Sequence, residues 1–334
     1  MVIIESYPVA VLLCVITMLC WGSWANTQKL ASKKWAFQLF YWDYALGVLL
    51  LSLFLAFTMG SSGEEGRSFF NDLGQAEAGS ISSALLGGVI FNIANLLIVV
   101  AIEIAGMAVA FPVGIGLALV IGVFVNYIAN PTGNALILFI GVALVVAAIV
   151  INAIAYNRKS KDSNTRITRG LVMAILGGIL MSFFYFLVAN SMATDFYTPE
   201  AGKLTPYTAS VIFAVGLVVS NFLWNTIFMY RPITGERATY ADYFKKGDSR
   251  LHMIGILGGA IWSLGFTLNI IAVGQAGPAI SYGLGQGATL VAALWGVFVW
   301  KEFRGASRNT NLMLAGMFLF FIAGLGLIII ARTT

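Results

Sequence analysis

An acidic residue inside an apolar stretch is the feature of this sequence with the clearest chemical potential. Asp43 lies about eight residues into the stretch from Ala36 to Gly60, whereas the other Lys, Arg, Asp and Glu residues fall in loops or at stretch ends. Loss of hydration disfavours the charged form of a carboxylate, so Asp43 could gain and lose a proton near neutral pH. A transporter needs that property to couple a proton gradient to a conformational change. The alternative is a structural carboxylate paired with a donor such as Lys34.

Uncharged polar side chains within the other apolar stretches form a second group of candidates. They are Asn92 and Asn95 in the third stretch, Ser182 and Tyr185 in the sixth, Asn221 and Asn225 in the seventh, and Ser281, Tyr282, Gln286 and Thr289 in the ninth. Amides and hydroxyls in hydrocarbon are costly unless they bond one another or a ligand. Together they would suit a neutral solute with many hydrogen-bond donors and acceptors. For any one residue, interhelical hydrogen bonding is the alternative.

Tryptophan rings near the ends of apolar stretches add a possible stacking surface. Trp24 and Trp262, with Trp21, could contact a planar or sugar-like solute, whereas Trp35 and Trp300 are typical of interfacial anchors. The predicted solute-binding residues are therefore Trp24, Asn92, Asn95, Tyr185, Asn221, Trp262, Tyr282 and Gln286.

The elements that must position these residues are ten apolar stretches of about 20 residues, the length that a helix needs to cross a bilayer. They run approximately over residues 8–26, 36–60, 81–102, 106–128, 135–156, 170–190, 207–230, 251–273, 277–300 and 311–331. Hydrophobic residues make up 59% of the chain and charged residues only 10%, which excludes an ordinary soluble domain. The sequence predicts an all-α integral membrane protein, with the fifth and tenth helices at the periphery because they carry few polar residues.

The loops between these stretches carry an uneven distribution of basic residues. Of the 19 Lys and Arg residues, all except Arg67, Lys203 and Arg332 lie on alternate connections. The positive-inside rule places those connections in the cytoplasm and both termini outside an inner membrane. The net charge of +5 is accounted for by these loops, so nucleic-acid binding is not expected.

The chain divides into two similar halves. Five stretches precede a basic linker over residues 157–169 and five follow it, so residues 1–156 and 170–334 are predicted as repeats. An odd number of spans per half forces the two repeats into opposite orientations. A shift of 171 residues supports this pattern, since it aligns Gly114 and Gly116 with Gly285 and Gly287.

Several blocks of the sequence resemble the drug/metabolite transporter superfamily, and within it the ureide permeases of plants and the bacterial rhamnose and glucose porters. These blocks are residues 22–24, 43–44, 87–106, 126–127 and 286–304. The resemblance implies ten helices in two inverted halves, a cavity lined by helices one to four and six to nine, and proton-linked uptake of ureides, nucleobases or sugars. Carried over by position, Asp43, Asn95 and Gln286 are its strongest site residues. The chain departs from it at Phe111 and Pro112, where the ureide permeases carry a glutamate.

The function predicted from these observations is secondary active transport. A small neutral polar solute (a ureide, nucleobase, nucleoside or sugar) would enter with a proton, or with sodium, by alternating access through a monomer or weak homodimer. An exporter or an uncoupled facilitator of the same superfamily is the alternative. An intramembrane enzyme is disfavoured because the spans hold one lone carboxylate, no embedded histidine and two separated cysteines, Cys14 and Cys20. No metal or cofactor is expected.

Three further residues or segments are interpreted from position alone. His252 begins the eighth stretch beside a basic loop and is predicted to be solvated, and Glu103 is predicted to be a hydrated surface carboxylate. The outer segment from Ser61 to Ser80 is rich in Gly, Ser and acidic residues, which is compatible with either a gate or a mobile loop.

Overall fold

The computed structural model describes residues 1–31, 35–105, 107–157, 167–233 and 236–334. Lys33, Lys34 and residues 158–166 of the linker lie outside these ranges, and the side chains of Glu103, Phe111 and Pro112 lie outside the described part as well.

The described chain is helical throughout, with a single isolated bridge between Met192 and Leu204. The α-helices are α1 Tyr7–Ser23, α2 Ala25–Ala31, α3 Phe37–Phe57, α4 Phe69–Gln75, α5 Ala78–Ala105, α6 Met107–Ala129, α7 Ala135–Asn157, α8 Ile167–Ser191, α9 Pro206–Tyr230, α10 Tyr240–Lys246, α11 Ser249–Ala276, α12 Pro278–Gly285, α13 Ala288–Leu294 and α14 Arg308–Ile330. A π-helical turn, Trp295–Val299, follows α13. The all-α prediction is confirmed for the described residues.

Nine helical segments of the described chain are long and apolar enough to cross a bilayer. The fourth predicted span corresponds to α6, in which Val113–Ala129 forms a shorter apolar helix. Helices suit this environment because their backbone hydrogen bonds are satisfied internally, without water. The protein is therefore a multi-pass membrane protein, while the count of ten crossings stays a prediction.

Two of the predicted spans are interrupted. The first divides at Trp24 into α1 and α2, and the ninth divides at Gln286 and Gly287 into α12 and α13 before it ends in the π-helical turn. The turn between the eighth and ninth spans is the single residue Gly277, whose φ of 79° lies in the left-handed region that glycine adopts readily. The two spans therefore form a tight helical hairpin.

Glycines bring two pairs of helices into backbone contact. At the α3–α11 interface, a Cβ added to Gly47 would collide with the carbonyl of Ile256, and one added to Gly259 would collide with that of Tyr44. The α5–α9 interface repeats this arrangement through Gly216 against Leu85 and Gly88 against Phe213. Small residues at such crossings let helices approach closely in a membrane, where no water drives them together. We call these two interfaces the glycine seams.

The outer segment from Ser61 to Ser80 is folded against the second half of the chain. It contains α4, in which the Asp72 carboxylate is fully buried. Arg67 Nε lies 3.0 Å from one oxygen of Asp72, and the backbone N–H of Thr205 donates to the other at 2.7 Å. The amide of Gln75 also accepts a hydrogen bond from the N–H of Gly202 at 2.6 Å. We call this group the outer clasp.

Candidate functional site

A cavity of about 470 Å³ lies between the helices and is open at one end. Its wall combines residues of α1 and α2 with residues of α5, α8, α11, α13 and the π-helical turn, plus one residue each from α6 and α7 and Gln286 at the break before α13. The described lining residues do not include any from α3 or α9. The resemblance placed the second and seventh helices in the lining and the fifth outside it. In the structure, Asn152 of α7 contributes to the wall.

Aromatic rings close the inner end of the cavity. The indole of Trp262 stacks on that of Trp21 with ring centroids 5.7 Å apart and planes 9° from parallel. Phe91 lies 4.4 Å from Trp262 on the cavity side, and Phe213 and Phe266 extend the cluster behind it at 5.8 and 5.2 Å. Flat, closely packed rings form an apolar surface suited to stacking at this end of the cavity.

Uncharged polar groups occupy the wall above this aromatic cluster. Asn95 is 7% exposed and donates a hydrogen bond from its amide to the Tyr41 hydroxyl at 3.2 Å. Gln286 is 8% exposed at the break between α12 and α13, and the hydroxyl of Thr289 donates to its backbone carbonyl at 3.0 Å. The wall can therefore exchange hydrogen bonds with a neutral solute through amide and hydroxyl groups.

Charged side chains line the cavity only at its mouth, as far as the described residues extend. Lys29 Nζ lies 3.0 Å from Glu302 Oε1 and 4.1 Å from the ring centre of Trp300. The indole N–H of Trp300 donates to Asn26 Oδ1 at 2.7 Å, which connects α2 to the segment after the ninth span. Trp300 thus lies at the rim of the cavity. The mouth is on the end of the molecule that the basic loops predict to be cytoplasmic.

Asp43 lies outside the cavity wall, in a separate buried cluster. Its side chain is 1% exposed, and its Oδ1 accepts a hydrogen bond from the Tyr243 hydroxyl at 2.5 Å. Nδ1 of His252 lies 2.9 and 3.0 Å from the two carboxylate oxygens. The His252 side chain is 27% exposed, so the predicted solvation is only partial, because the ring also binds the buried acid. Trp35 is also buried rather than interfacial, and the edge of one ring meets the face of the other between Trp35 and His252.

Local capping places these partners around Asp43. A capping box formed by Thr239 and Asp242 starts α10, and Asp248 accepts a hydrogen bond from the N–H of Leu251 to start α11. Hydrogen bonds from Lys246 and Thr239 lower the pKa of Asp242 to about 2, so the box stays charged at physiological pH.

The spacing of residues along α11 then determines where the Asp43 carboxylate can lie. Gly255 follows His252 by three residues, on the same side of the helix, and an added Cβ there would collide with Asp43. Burial and the hydrogen bond to Asp43 raise the pKa of Tyr243, which keeps its hydroxyl a donor.

The eight residues predicted to bind solute divide into two groups. Trp24, Asn95, Trp262 and Gln286 line the cavity, whereas Asn92, Tyr185, Asn221 and Tyr282 do not.

The four residues away from the cavity lie between helices. Asn92 donates to Ser220 Oγ at 2.9 Å, and the Tyr282 hydroxyl donates to the carbonyl of Ala118 at 3.1 Å while its ring packs on Tyr185. Asn221 is fully buried, without a hydrogen-bond partner for its amide among the described residues.

Sequence reasoning missed several lining residues. Asn26 was assigned to the end of a span, Lys29 and Glu302 to loops or span ends, and Asn152 to a peripheral helix, while Gln28 was given no role. The isolated amide of Asn152 in an otherwise apolar stretch was the one signal available for it, since unpaired amides are costly in hydrocarbon.

The fold and the cavity define a multi-pass α-helical membrane protein with a cavity between its helices, and comparison with known proteins refines this class. A family model described as "Ureide permease" matches residues 40–170 and 157–331. Ureide permease 1 and ureide permease 5 of Arabidopsis thaliana are 25% and 24% identical, each over 98% of this chain and over 98% and 95% of their own lengths. A probable ureide permease A3 of Vigna unguiculata is 23% identical over 92% of this chain and 99% of its own length.

A solved crystal structure has the same overall fold, with a TM-score of 0.61 and 13% identity over 97% of this chain and 98% of that chain. The chain belongs to the ureide permease family, whose members are transporters and not enzymes. The predicted resemblance is confirmed at the level of this family.

Proposed function

We propose that the protein takes up a small neutral polar solute together with a proton, by alternating access. The observation that carries the proposal is the cavity itself, which is closed by aromatic rings at one end, lined by amides and hydroxyls and open at the predicted cytoplasmic end. A neutral interior favours a solute without net charge, since an ion would lose hydration there without a countercharge. The names of the relatives point to ureides, and nucleobases, nucleosides and sugars fit the same chemistry.

The glycine seams support two inverted five-helix halves, residues 1–156 and 170–334, as the moving parts. Adding about 170 to the number of the first-half glycine of each seam gives the second-half glycine of the other seam, so that Gly88 corresponds to Gly259 and Gly47 to Gly216. Equivalent contacts between the second and eighth and between the third and seventh spans are what an inverted repeat requires. In this proposal the halves rock about the cavity, and the present conformation is the one open to the cytoplasm.

Asp43 is the proposed proton site, and it acts on the cavity at a distance. The α11 helix carries His252 against Asp43 and, ten residues later, Trp262 in the aromatic cluster, a separation of about 15 Å along the helix. A change in the charge of Asp43 would therefore alter how α11 sits against α3 and, through Trp262, the end of the cavity. The proton drives the cycle only if Asp43 binds it with different affinity in the two conformations.

Uptake into proteoliposomes tests this proposal. Radiolabelled solute should accumulate when an acidic exterior is imposed, and Asp43→Asn should abolish accumulation while solute counterflow at equal pH persists. Replacing the proton gradient with a sodium gradient separates the two coupling ions. Equal flux with and without any gradient would indicate a facilitator and contradict the coupling.

The solute class needs a direct binding measurement. A thermal-shift screen of the purified protein against ureides, nucleobases, nucleosides and sugars should yield stabilisation by one class, because a ligand that binds only the folded state raises its stability. Trp24→Ala should remove that stabilisation. Stabilisation by charged analogues alone would contradict a neutral cavity.

A further inference from the structure

We propose that His252 carries the proton between buried Asp43 and water, and that Tyr243 is the positioning residue that holds the carboxylate for this exchange. The inference rests on the proposed function, because it concerns how the coupling site gains and loses its proton. His252 and Tyr243 do not line the cavity, and neither residue was among the polar residues predicted to bind solute.

The geometry makes His252 a path between Asp43 and solvent. The Asp43 side chain is 1% exposed, so it has almost no direct contact with water, whereas the His252 side chain is 27% exposed. Nδ1 of the imidazole faces both carboxylate oxygens at 2.9 and 3.0 Å. Nε2 lies on the far side of the ring, toward Gly247 in the turn between α10 and α11, where an added Cβ would collide with it. One partly exposed ring thus spans the distance from the buried acid to the turn between α10 and α11.

The two ring nitrogens allow a balanced transfer of one proton. With Asp43 charged, Nδ1–H donates to the carboxylate and Nε2 carries a lone pair. A hydronium ion transfers its proton to Nε2 and becomes water, the Nδ1–H bond breaks, and its proton forms an O–H bond on Asp43. The imidazole ends neutral, in its other tautomer. The reverse sequence returns the proton of Asp43 to Nδ1 and releases the Nε2 proton to water, which is the direction that release into the cytoplasm requires.

Tyr243 supports the exchange without carrying the proton. Its hydroxyl donates to Asp43 Oδ1 at 2.5 Å, and its ring lies 4.7 Å from that of His252. Because the pKa of Tyr243 is raised, the hydroxyl keeps its own proton. It therefore fixes the orientation of the carboxylate relative to Nδ1.

The charged groups on the surrounding elements either bind partners other than Asp43 or are exposed. Asp242 pairs with Lys246 at 2.8 Å on the outer side of α10, and Asp248 caps α11. Lys245 and Arg250 are exposed. Of the titratable residues that the structure describes, His252 and Tyr243 are those that bond Asp43.

Matched substitutions separate the two roles. His252→Asn keeps an amide donor near the position of Nδ1 and removes the nitrogen that exchanges protons with water. We expect gradient-driven uptake to fall at least about tenfold, with counterflow at equal pH within about twofold of wild type because exchange needs no proton release. Tyr243→Phe should retain uptake but shift its pH of half-maximal rate by at least about 0.5 unit, since a charge-assisted hydrogen bond is lost.

The control for Tyr243 lies on the same helix. Tyr240→Phe removes a hydroxyl that pairs with Thr226 at 2.5 Å instead of Asp43, so its pH profile should match wild type. Wild-type coupling in His252→Asn, together with abolished coupling in Asp43→Asn, would overturn the role of His252. Equal pH shifts in Tyr243→Phe and Tyr240→Phe would overturn the role of Tyr243. Wild-type uptake that ignores the pH gradient would instead refute the proposed function.

Nuclear magnetic resonance gives a readout independent of transport. His252 is the single histidine of the chain, so ¹⁵N-histidine labelling gives one pair of ring signals. At alkaline pH we expect the proton on Nδ1 in the wild type and a different tautomer balance in Asp43→Asn. An unprotonated Nδ1, or identical spectra for the two proteins, would overturn the inference even if His252→Asn does not fold.

Discussion

Neutralising Asp72 should weaken the outer clasp and destabilise the whole protein. The side chain is fully buried, and its Oδ2 accepts hydrogen bonds from the backbone N–H and hydroxyl of Thr205 at 2.7 and 3.0 Å while its Oδ1 pairs with Arg67 Nε at 3.0 Å. Asp72→Asn keeps the shape of the side chain but turns one acceptor into an NH₂ donor. Whichever way the amide is oriented, a donor then faces either Arg67 or Thr205.

The size of this effect follows from the burial of the partners. Removing one member of a buried ion pair costs about 3–5 kcal/mol, and a hydrogen bond to a charged group contributes about 1.5–3 kcal/mol. The Arg67 side chain is 20% exposed, so water recovers part of its solvation after the change. We expect Asp72→Asn to lower the free energy of unfolding by about 2–4 kcal/mol.

Reversible unfolding in mixed micelles of sodium dodecyl sulfate and a mild detergent measures this quantity. Asp195→Asn is the control, because Asp195 is an exposed acid of the same face whose hydrogen bonds go to Tyr197 and Thr198 in its own turn, and it should leave the unfolding curve unchanged. Arg67→Met and the double variant complete a cycle in which we expect a coupling energy of at least about 1 kcal/mol. A loss below about 1 kcal/mol for Asp72→Asn, or additive effects in the cycle, would refute the reasoning.

Three further substitutions test other parts of the structure. Gln286→Leu should raise the half-saturating solute concentration in uptake assays about tenfold by removing an amide from the cavity wall, whereas Thr226→Val, away from the cavity, should not. Gly88→Val and Gly259→Val should each lower the free energy of unfolding by about 1–3 kcal/mol, measured in the same micelles, and unequal losses would contradict the equivalence of the seams. Glu302→Gln should change the free energy of unfolding by less than about 1 kcal/mol, because the ion pair between Glu302 and Lys29 is exposed. A larger loss would contradict that expectation.

Hydrophobicity alone located the helices well because the bilayer imposes their length and composition. The second predicted span, residues 36–60, corresponds to α3 at Phe37–Phe57, and the third, residues 81–102, lies within α5. The break at Gln286 and Gly287 was not predicted, since the pattern there remains apolar and the interruption depends on how α12 and α13 pack against α1.

The site was only partly predictable, because helix periodicity gives the face of a residue and not its neighbour. Asn92 and Asn95 differ by about 60° around α5, and that angle places one amide against α9 and the other on the cavity wall. Likewise, Asp43 stood out as an intramembrane acid, but its partner Tyr243 lies in a connection about 200 residues away along the chain. Only the tertiary arrangement of α3, α10 and α11 reveals that pair.

The glycine seams have a thermodynamic consequence for the proposed conformation that is open to the outside. Both seams consist of the same close contacts between a glycine and a carbonyl oxygen, so under the proposed alternating access each half of the chain would adopt the arrangement of the other with nearly the same packing energy. In the proposed cycle, the free-energy difference between this conformation and the one in which the two halves have exchanged arrangements would then be small. A proton or a solute molecule, each contributing a few kcal/mol, would be enough to change which of the two conformations is more populated.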